Sequence, residues 1–385
     1  LIAGLTSRLF WLTAALLPLL LQGAGNRTVL PLVVGCILLA SACQAFYLPA
    51  FFSWVSDAVP SRLRGPFFAR RMQVGTVVAI AATVLSGTIA DRFPSQAVYC
   101  AVLAVTALAG LCEFLLFAPI REAKVRQSST DRATLPEAGA GQLSVRAALR
   151  DIPLRRFLIF TSLMYMGYGS AGAFLWLHAM QYLGLSKTLT GLIFVCALVS
   201  QAWSSRFWGE VIKRYGTRPV LRLSAMGLVL IPIPWLIAPT VAAAGWVPWL
   251  LLSATMFVGG IVSGAYDLGN FNAISSLSLH IPRATVTALY SMVSDLSMVL
   301  ASWGSGALAL SLRDMKLEIG SFTVINYHVV FICSFLVRFI AAAFIAPTLH
   351  EPRATGTRAT LKAIAAGAKA GILSRTDSMR STHRA

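Results

Sequence analysis

Ten separate runs of about 20 apolar residues occupy most of this chain, and each is long enough for a helix rising about 1.5 Å per residue to cross a hydrocarbon layer about 30 Å thick. They fall at 8–23, 30–52, 73–91, 96–119, 154–181, 188–206, 219–238, 246–270, 284–310 and 325–347. Strands of a transmembrane barrel would be about 10 residues long and apolar on alternate positions only. These runs are apolar on every face, and a helix satisfies its own backbone hydrogen bonds where no water is present. Composition agrees: 57% of residues are hydrophobic and 12% charged, against roughly 25% charged in soluble domains. The fold class expected is an all-α polytopic membrane protein.

A net charge of +18 raises the question of nucleic acid, but the placement of the charges answers it differently. With residues at the ends of the runs counted to the adjoining loop, the segment before the first run and every second loop after it carry 26 lysines and arginines, the intervening loops carry five (Arg27, Arg92, Lys187, Arg313, Lys316), and Arg338 alone lies deep inside a run. This is the positive-inside pattern, which predicts both ends of the chain on the cytoplasmic side and the lipid bilayer as partner. Nucleic acid is not an expected partner. The six cysteines (Cys36, Cys43, Cys100, Cys112, Cys196, Cys333) all lie in apolar runs without C-x-x-C or Cys/His spacing, so neither a metal nor a cofactor is expected.

A polar stretch at 120–153, rich in Ser, Gly and Ala with charges of both signs, has the composition of a linker. It divides the chain into a four-helix bundle (1–119) and a six-helix bundle (154–347), followed by a basic tail (348–385). A weak internal repeat relates the halves. Arg8 to Pro18 aligns with Arg222 to Pro232. Pro60, Arg64 and Ser86-Gly87 align with Pro282, Arg283 and Ser305-Gly306. The alignment implies two further helices before Leu1.

Two loop motifs carry a family resemblance. Residues 209–221 (GEVIKRYGTRPVL) resemble the G-x-x-x-D-R-x-G-R-R signature of the major facilitator superfamily, with Gly209, Arg214, Gly216 and Arg218 matching and Lys213 standing where aspartate is usual. The pattern Trp54-x-x-Asp57-x-Val59-Pro60-x-x-x-Arg64-Gly65-x-x-Phe68-x-x-Arg71 is similar to one in a poorly characterised bacterial subgroup of that superfamily. The resemblance implies helices three to twelve of a 6 + 6 transporter in a bacterial inner membrane, moving a small solute by alternating access, with proton or other cation coupling open. It also implies a cytoplasmic gate at Asp57, Arg64, Arg71, Gly209, Arg214, Gly216 and Arg218. Headgroup anchoring by the same arginines is the other reading. A non-transporting relative, such as an assembly factor or receptor, is the alternative for the whole chain; a monomer is expected.

Charged groups inside a bilayer are costly, so each asks for a reason. Asp295, midway along its run, shares a helical face with Ser291, Ser302 and Ser305 and is the coupling-ion candidate, with Arg338 as a possible partner. Gln44 and Tyr47, then Tyr165, Tyr168 and Trp176, then Asp267 and Asn270 beside Ser263, form three groups at helical spacing that are candidates for lining a solute cavity. The resemblance places the fifth and eighth spans at the cavity; the aromatic group is open to packing instead, Asp267 to gate closure or solvation, and Trp176 with His178 to the interfacial belt. Glu113 is expected to pair with a nearby arginine. Zinc-protease, nucleophile-elbow and Walker motifs are all missing, so no catalytic residue is assigned. In the tail, Leu361, Ile364, Ala368 and Ile372 align along one side of a candidate basic amphipathic helix lying on the anionic inner leaflet, with a disordered tail, given Gly367 and Gly371, as the other reading.

Overall fold

The structure, a computed structural model, describes residues 2–21, 23, 25–58, 61–117, 148–240, 245–276, 281, 283–319, 322–349 and 355–366. Among them are ten helical segments long and apolar enough to cross a membrane, one for each apolar run. The helices are α1 (Ile2–Leu20), α2 (Asn26–Ala58), α3 (Ser61–Arg92), α4 (Gln96–Phe117), α5 (Ile152–Leu177), α6 (Lys187–Tyr215), α7 (Thr217–Leu230), α8 (Pro232–Ile237), α9 (Val247–Ser276), α10 (Arg283–Ser311) and α11 (Asn326–Ile340). A further helix, α12, covers 357–366. Most of the expected linker and the far tail lie outside the described residues.

The chain divides into two compact units. Unit 1 holds Leu1–Ala140 with Ser186–Gly191. Here α1 packs on α2 and α4 through small residues and a few polar ties. Gly4 faces the Phe114 ring, and Gly110 leaves room for the Arg8 side chain. Arg8 reaches Glu113 at 3.8 Å, the arginine partner expected for that glutamate. Ser7 Oγ donates to the Ala40 carbonyl at 2.8 Å. The first turn of α6 belongs to this unit because Asp91 caps it: its carboxylate accepts from the backbone N–H groups of Lys187 and Thr188, both at 2.9 Å, and from Thr188 Oγ1 at 2.7 Å. Helix N-termini expose N–H groups with no partner of their own, and a carboxylate meets that need.

Unit 2 holds Gly141–Leu185 and Leu192–Ala385. Its centre is α5, which begins with Asp151 accepting from Leu154 N at 2.8 Å and packs against both α10 and α11. Close approach depends on glycine. A Cβ on Gly169 would run into the Met298 backbone, and one on Gly260 of α9 into the Ala197 carbonyl of α6. Where lipid tails are as apolar as the side chains, such small-residue faces are what hold helices together. Trp208 Nε1 adds a bond from α6 to the Ile261 carbonyl at 2.9 Å.

Between α10 and α11 the chain forms a hairpin of β1 (Lys316–Ile319) and β2 (Phe322–Ile325), paired antiparallel. The span assignment leaves only a loop here, although KLEI-GS-FTVI has the short alternating strands and glycine-containing turn of a hairpin. The tail also differs from expectation. Helix α12 docks on unit 2: Thr355 N donates to the Tyr215 carbonyl at 2.9 Å, Thr360 is buried, and Ile364 packs beside Trp208 and Val220, whereas Leu361 is exposed.

Gly172 lies three residues beyond Gly169 on the same helix, yet a Cβ there meets nothing within 4 Å. Replacing Gly169 with valine is expected to lower stability by about 1–3 kcal/mol through overpacking, while Gly172→Val leaves it unchanged. Thermal unfolding of the two purified variants in one detergent checks the contrast.

Candidate functional site

Arg338 organises the interior of unit 2. It is 4% exposed and lies near the middle of its spanning segment, Asn326–Thr348. Its Nη1 donates to the Leu228 carbonyl and its Nη2 to the Gly167 carbonyl, both at 3.0 Å. The availability of the first acceptor follows from sequence. Pro232 has no N–H, so the carbonyl four residues back, Leu228 O, has no helical donor, and the chain breaks there into α7 and α8. Gly167 supplies the second acceptor and also the space, since a Cβ on it would collide with the Arg338 side chain. Ser334 Oγ donates to the same Gly167 carbonyl at 2.7 Å. Three helical segments thus converge on one guanidinium.

Charge alone suggests Asp295 as partner for Arg338, and the structure does not form that pair. No described carboxylate lies within 4.0 Å of the guanidinium, and Asp295 is exposed on α10. The serine stripe divides as well: Ser302 Oγ donates to the Gly169 carbonyl at 2.9 Å, and Ser305 is buried, whereas Ser291 shares the exposed side with Asp295. Ser297, which is not on the stripe, meets Ser162 Oγ at 2.7 Å. The packed face of α10 therefore lies to one side of Asp295.

Tyrosines surround the arginine. The Arg338 guanidinium carbon stands 4.6 Å from the centre of the Tyr168 ring, over its face. Tyr168 lies 6.0 Å from Tyr165 and 6.4 Å from Tyr266, and Tyr165 shares a 3.0 Å hydroxyl hydrogen bond with Tyr290. Spacing on one helix singles out Tyr165 and Tyr168. It does not reach Tyr266 and Tyr290, because they lie on α9 and α10 and only the tertiary fold brings them in.

Beside this cluster opens a cavity of about 240 Å³ lined by Tyr168, Ala171, Gly172, Leu175, Phe194, Ala197, Leu228, Ile231, Pro232, Met256, Gly259, Ser263 and Arg338. Its walls are almost wholly apolar, with Arg338 the one charged group among the lining residues. Trp176 is partly exposed and stacks flat on Phe194, ring centres 4.5 Å apart, so it supports the wall from behind. His178 is buried among aromatic rings. Asp267 does not line the cavity: it accepts from Gln201 Nε2 at 2.8 Å on the exposed side of α9. Asn270 is buried one turn beyond Tyr266.

In unit 1, Gln44 is exposed, and the Tyr47 ring packs edge-on against Phe114 at 5.1 Å. The side chains of Asp57 and Arg64 lie outside the described residues, and Arg71 is exposed. In unit 2 the signature loop forms the turn between α6 and α7. Gly216 adopts φ +93°, a conformation that favours glycine. Arg214 stands 4.0 Å from Glu210, Arg218 Nη2 donates to the Pro347 carbonyl at 3.0 Å, and Gly209 is exposed. Among the described residues no group of three or more potential metal ligands is present.

Among the described residues, ten helical segments long and apolar enough to cross a membrane, with a cavity near the middle of the unit 2 spans, define a polytopic membrane protein. The sequence matches the Major Facilitator Superfamily over residues 2–302 and, overlapping, 157–374. The chain belongs to that superfamily and is a membrane transporter. Two solved structures share the fold: a point mutant of the nucleoside transporter NupG, with a TM-score of 0.62, and a bacterial homologue of the iron transporter ferroportin in an outward-facing state, at 0.53. Each is 14% identical; the alignments cover 91% and 90% of this chain and 84% and 82% of the other. No curated protein matches the chain.

The Tyr165–Tyr290 hydroxyl pair ties α5 to α10 at the cluster. In a double-mutant cycle with Tyr165→Phe and Tyr290→Phe, a coupling of about 1 kcal/mol is expected in unfolding free energy. A coupling of zero means that the two hydroxyls do not act on each other.

Proposed function

We propose that the chain is a secondary active transporter that binds its solute in the unit 2 cavity and exposes it alternately to the two sides of a bacterial inner membrane. The observation that carries this reading is the position of the cavity. The lining residues Tyr168, Leu228 and Arg338 each fall within about two residues of the middle of their own spans, Ile152–Tyr182, Thr217–Thr240 and Asn326–Thr348, and carriers hold their solutes near the bilayer midplane. Both ends of the chain are cytoplasmic in this reading, as the 26-to-five charge asymmetry requires. The loops that carry Asp57, Arg64 and Arg71 in one unit and Gly209, Arg214, Gly216 and Arg218 in the other then each face the cytoplasm, and these residues are the proposed gate positions. Of the two solved structures that share the fold, one is a nucleoside transporter and the other a homologue of an iron transporter, so the fold leaves the solute open.

Asp295 is the proposed proton carrier. It lies near the centre of a spanning helix, exposed and without an ion-pair partner among the described residues, and an ionisable side chain at that depth asks for a functional reason.

Gly172→Cys, in a background without the six native cysteines, tests alternating access. A membrane-impermeant thiol reagent is expected to modify it when applied from either face of sealed vesicles; labelling from one face only rules alternation out. In proteoliposomes loaded with pyranine, a solute that binds the wild type is expected to drive dye acidification. Asp295→Asn is expected to keep binding and lose the proton signal, and an unchanged proton signal removes Asp295 from its role.

A further inference from the structure

Arg338 is a buried cation whose charge no described side chain of unit 2 neutralises. Of its five N–H donors, two go to backbone carbonyls, and Nε, also buried, has no hydrogen-bond partner. Carbonyl dipoles satisfy donors but leave the unit charge in place. The Tyr168 ring face offsets a part of it. An arginine at the centre of a spanning helix is costly, so buried charges are normally paired. Here the pairing group is not among the described side chains, and the guanidinium lines a cavity.

We infer that the solute bound in this cavity is a small organic anion, a carboxylate on an apolar body, whose charged end pairs with Arg338 and whose body fills the space between Phe194, Leu175, Ile231 and Met256. This rests on the reading of the cavity as the solute site. Three features select the class. The free donor sits on a guanidinium, a planar fork suited to a carboxylate. Apart from Arg338, the Tyr168 ring and the Ser263 hydroxyl, the named lining side chains are apolar or glycine, so a multiply charged or heavily hydroxylated solute would leave its polar groups unpaired. A volume of about 240 Å³ lies just under the range of about 300–1,000 Å³ for drug-sized ligands, so the body is small. A cation would meet the arginine's repulsion. The negative end of an anionic lipid carries the same chemistry from another source.

The test uses the full chain in phosphatidylcholine nanodiscs and follows the unfolding temperature. The probes are 3-phenylpropionate, 4-hydroxybenzoate and hexanoate, each beside its neutral alcohol counterpart (3-phenylpropanol, 4-hydroxybenzyl alcohol, hexanol). At least one carboxylate is expected to stabilise the wild type with a half-saturating concentration at least about tenfold below that of its alcohol. Gly172→Val, which fills the cavity from an unpacked position, is expected to abolish the shift while leaving the unliganded unfolding temperature unchanged. Arg338→Gln is expected to remove the preference for carboxylate over alcohol. If that variant does not fold, the wild-type pairs and Gly172→Val decide alone.

Equal binding of acid and alcohol, lost in Gly172→Val, overturns the anion assignment and leaves the cavity as the solute site. Binding unaffected by Gly172→Val, or no binding by any carboxylate, overturns both. Nanodiscs containing phosphatidylglycerol separate the sources: competition by this lipid against the carboxylate, dependent on Arg338, assigns the anion to lipid, and its absence assigns it to the soluble acid.

Discussion

Hydrocarbon gives a polar group no partner, and the structure answers that constraint repeatedly. The backbone answers it by forming a helix along each of the ten apolar runs. Hydroxyls answer it by bonding back to their own helix: Thr161 Oγ1 to the Phe157 carbonyl, Ser170 Oγ to Met166, Thr255 Oγ1 to Leu251. Such groups have spent their one proton locally and keep only acceptor lone pairs. Arg338 is different because its bonds go to other helical segments. It borrows acceptors from two other segments, one freed by Pro232 and one on α5. A helix break and a buried cation, each costly alone, therefore stabilise each other.

The glycines of α5 show how little sequence separates packing from function. Gly167 yields its volume to the Arg338 stem, Gly169 yields to the backbone of α10, and Gly172 yields to empty space. Over about a turn and a half, the same residue type opens room for a charge, closes a helix contact and widens a cavity. Composition and spacing treat the three alike, and only their neighbours distinguish them.

That limit explains what is legible in the sequence. Helix number, approximate boundaries and the turn at Gly216 can be read because they depend on local properties: length, hydropathy, and a residue tolerant of positive φ. The tie between Arg8 and Glu113 is readable as a type, because so few bases lie near that glutamate. Tyr165 and Tyr168 are visible on one helix, but Tyr266 and Tyr290 are not, since their approach depends on how α9 and α10 pack. Pairing Asp295 with Arg338 follows from charge alone and ignores direction: the packed face of α10 carries Ser297 and Ser305 and leaves Asp295 aside. The readable signal for the partner of Arg338 is Pro232, whose missing N–H marks Leu228 as a carbonyl in need of a donor.

The separation of Asp295 from Arg338 has a further consequence. Had the two formed a buried ion pair, each would have cancelled the other, and the pair would have been a staple between α10 and α11 with little to offer a mobile ligand. Kept apart, each retains an unmet electrostatic need of opposite sign. The guanidinium, which does not give up its proton at any physiological pH, can meet its need only from another group that carries negative charge, and a buried pair with Asp295 would have supplied one.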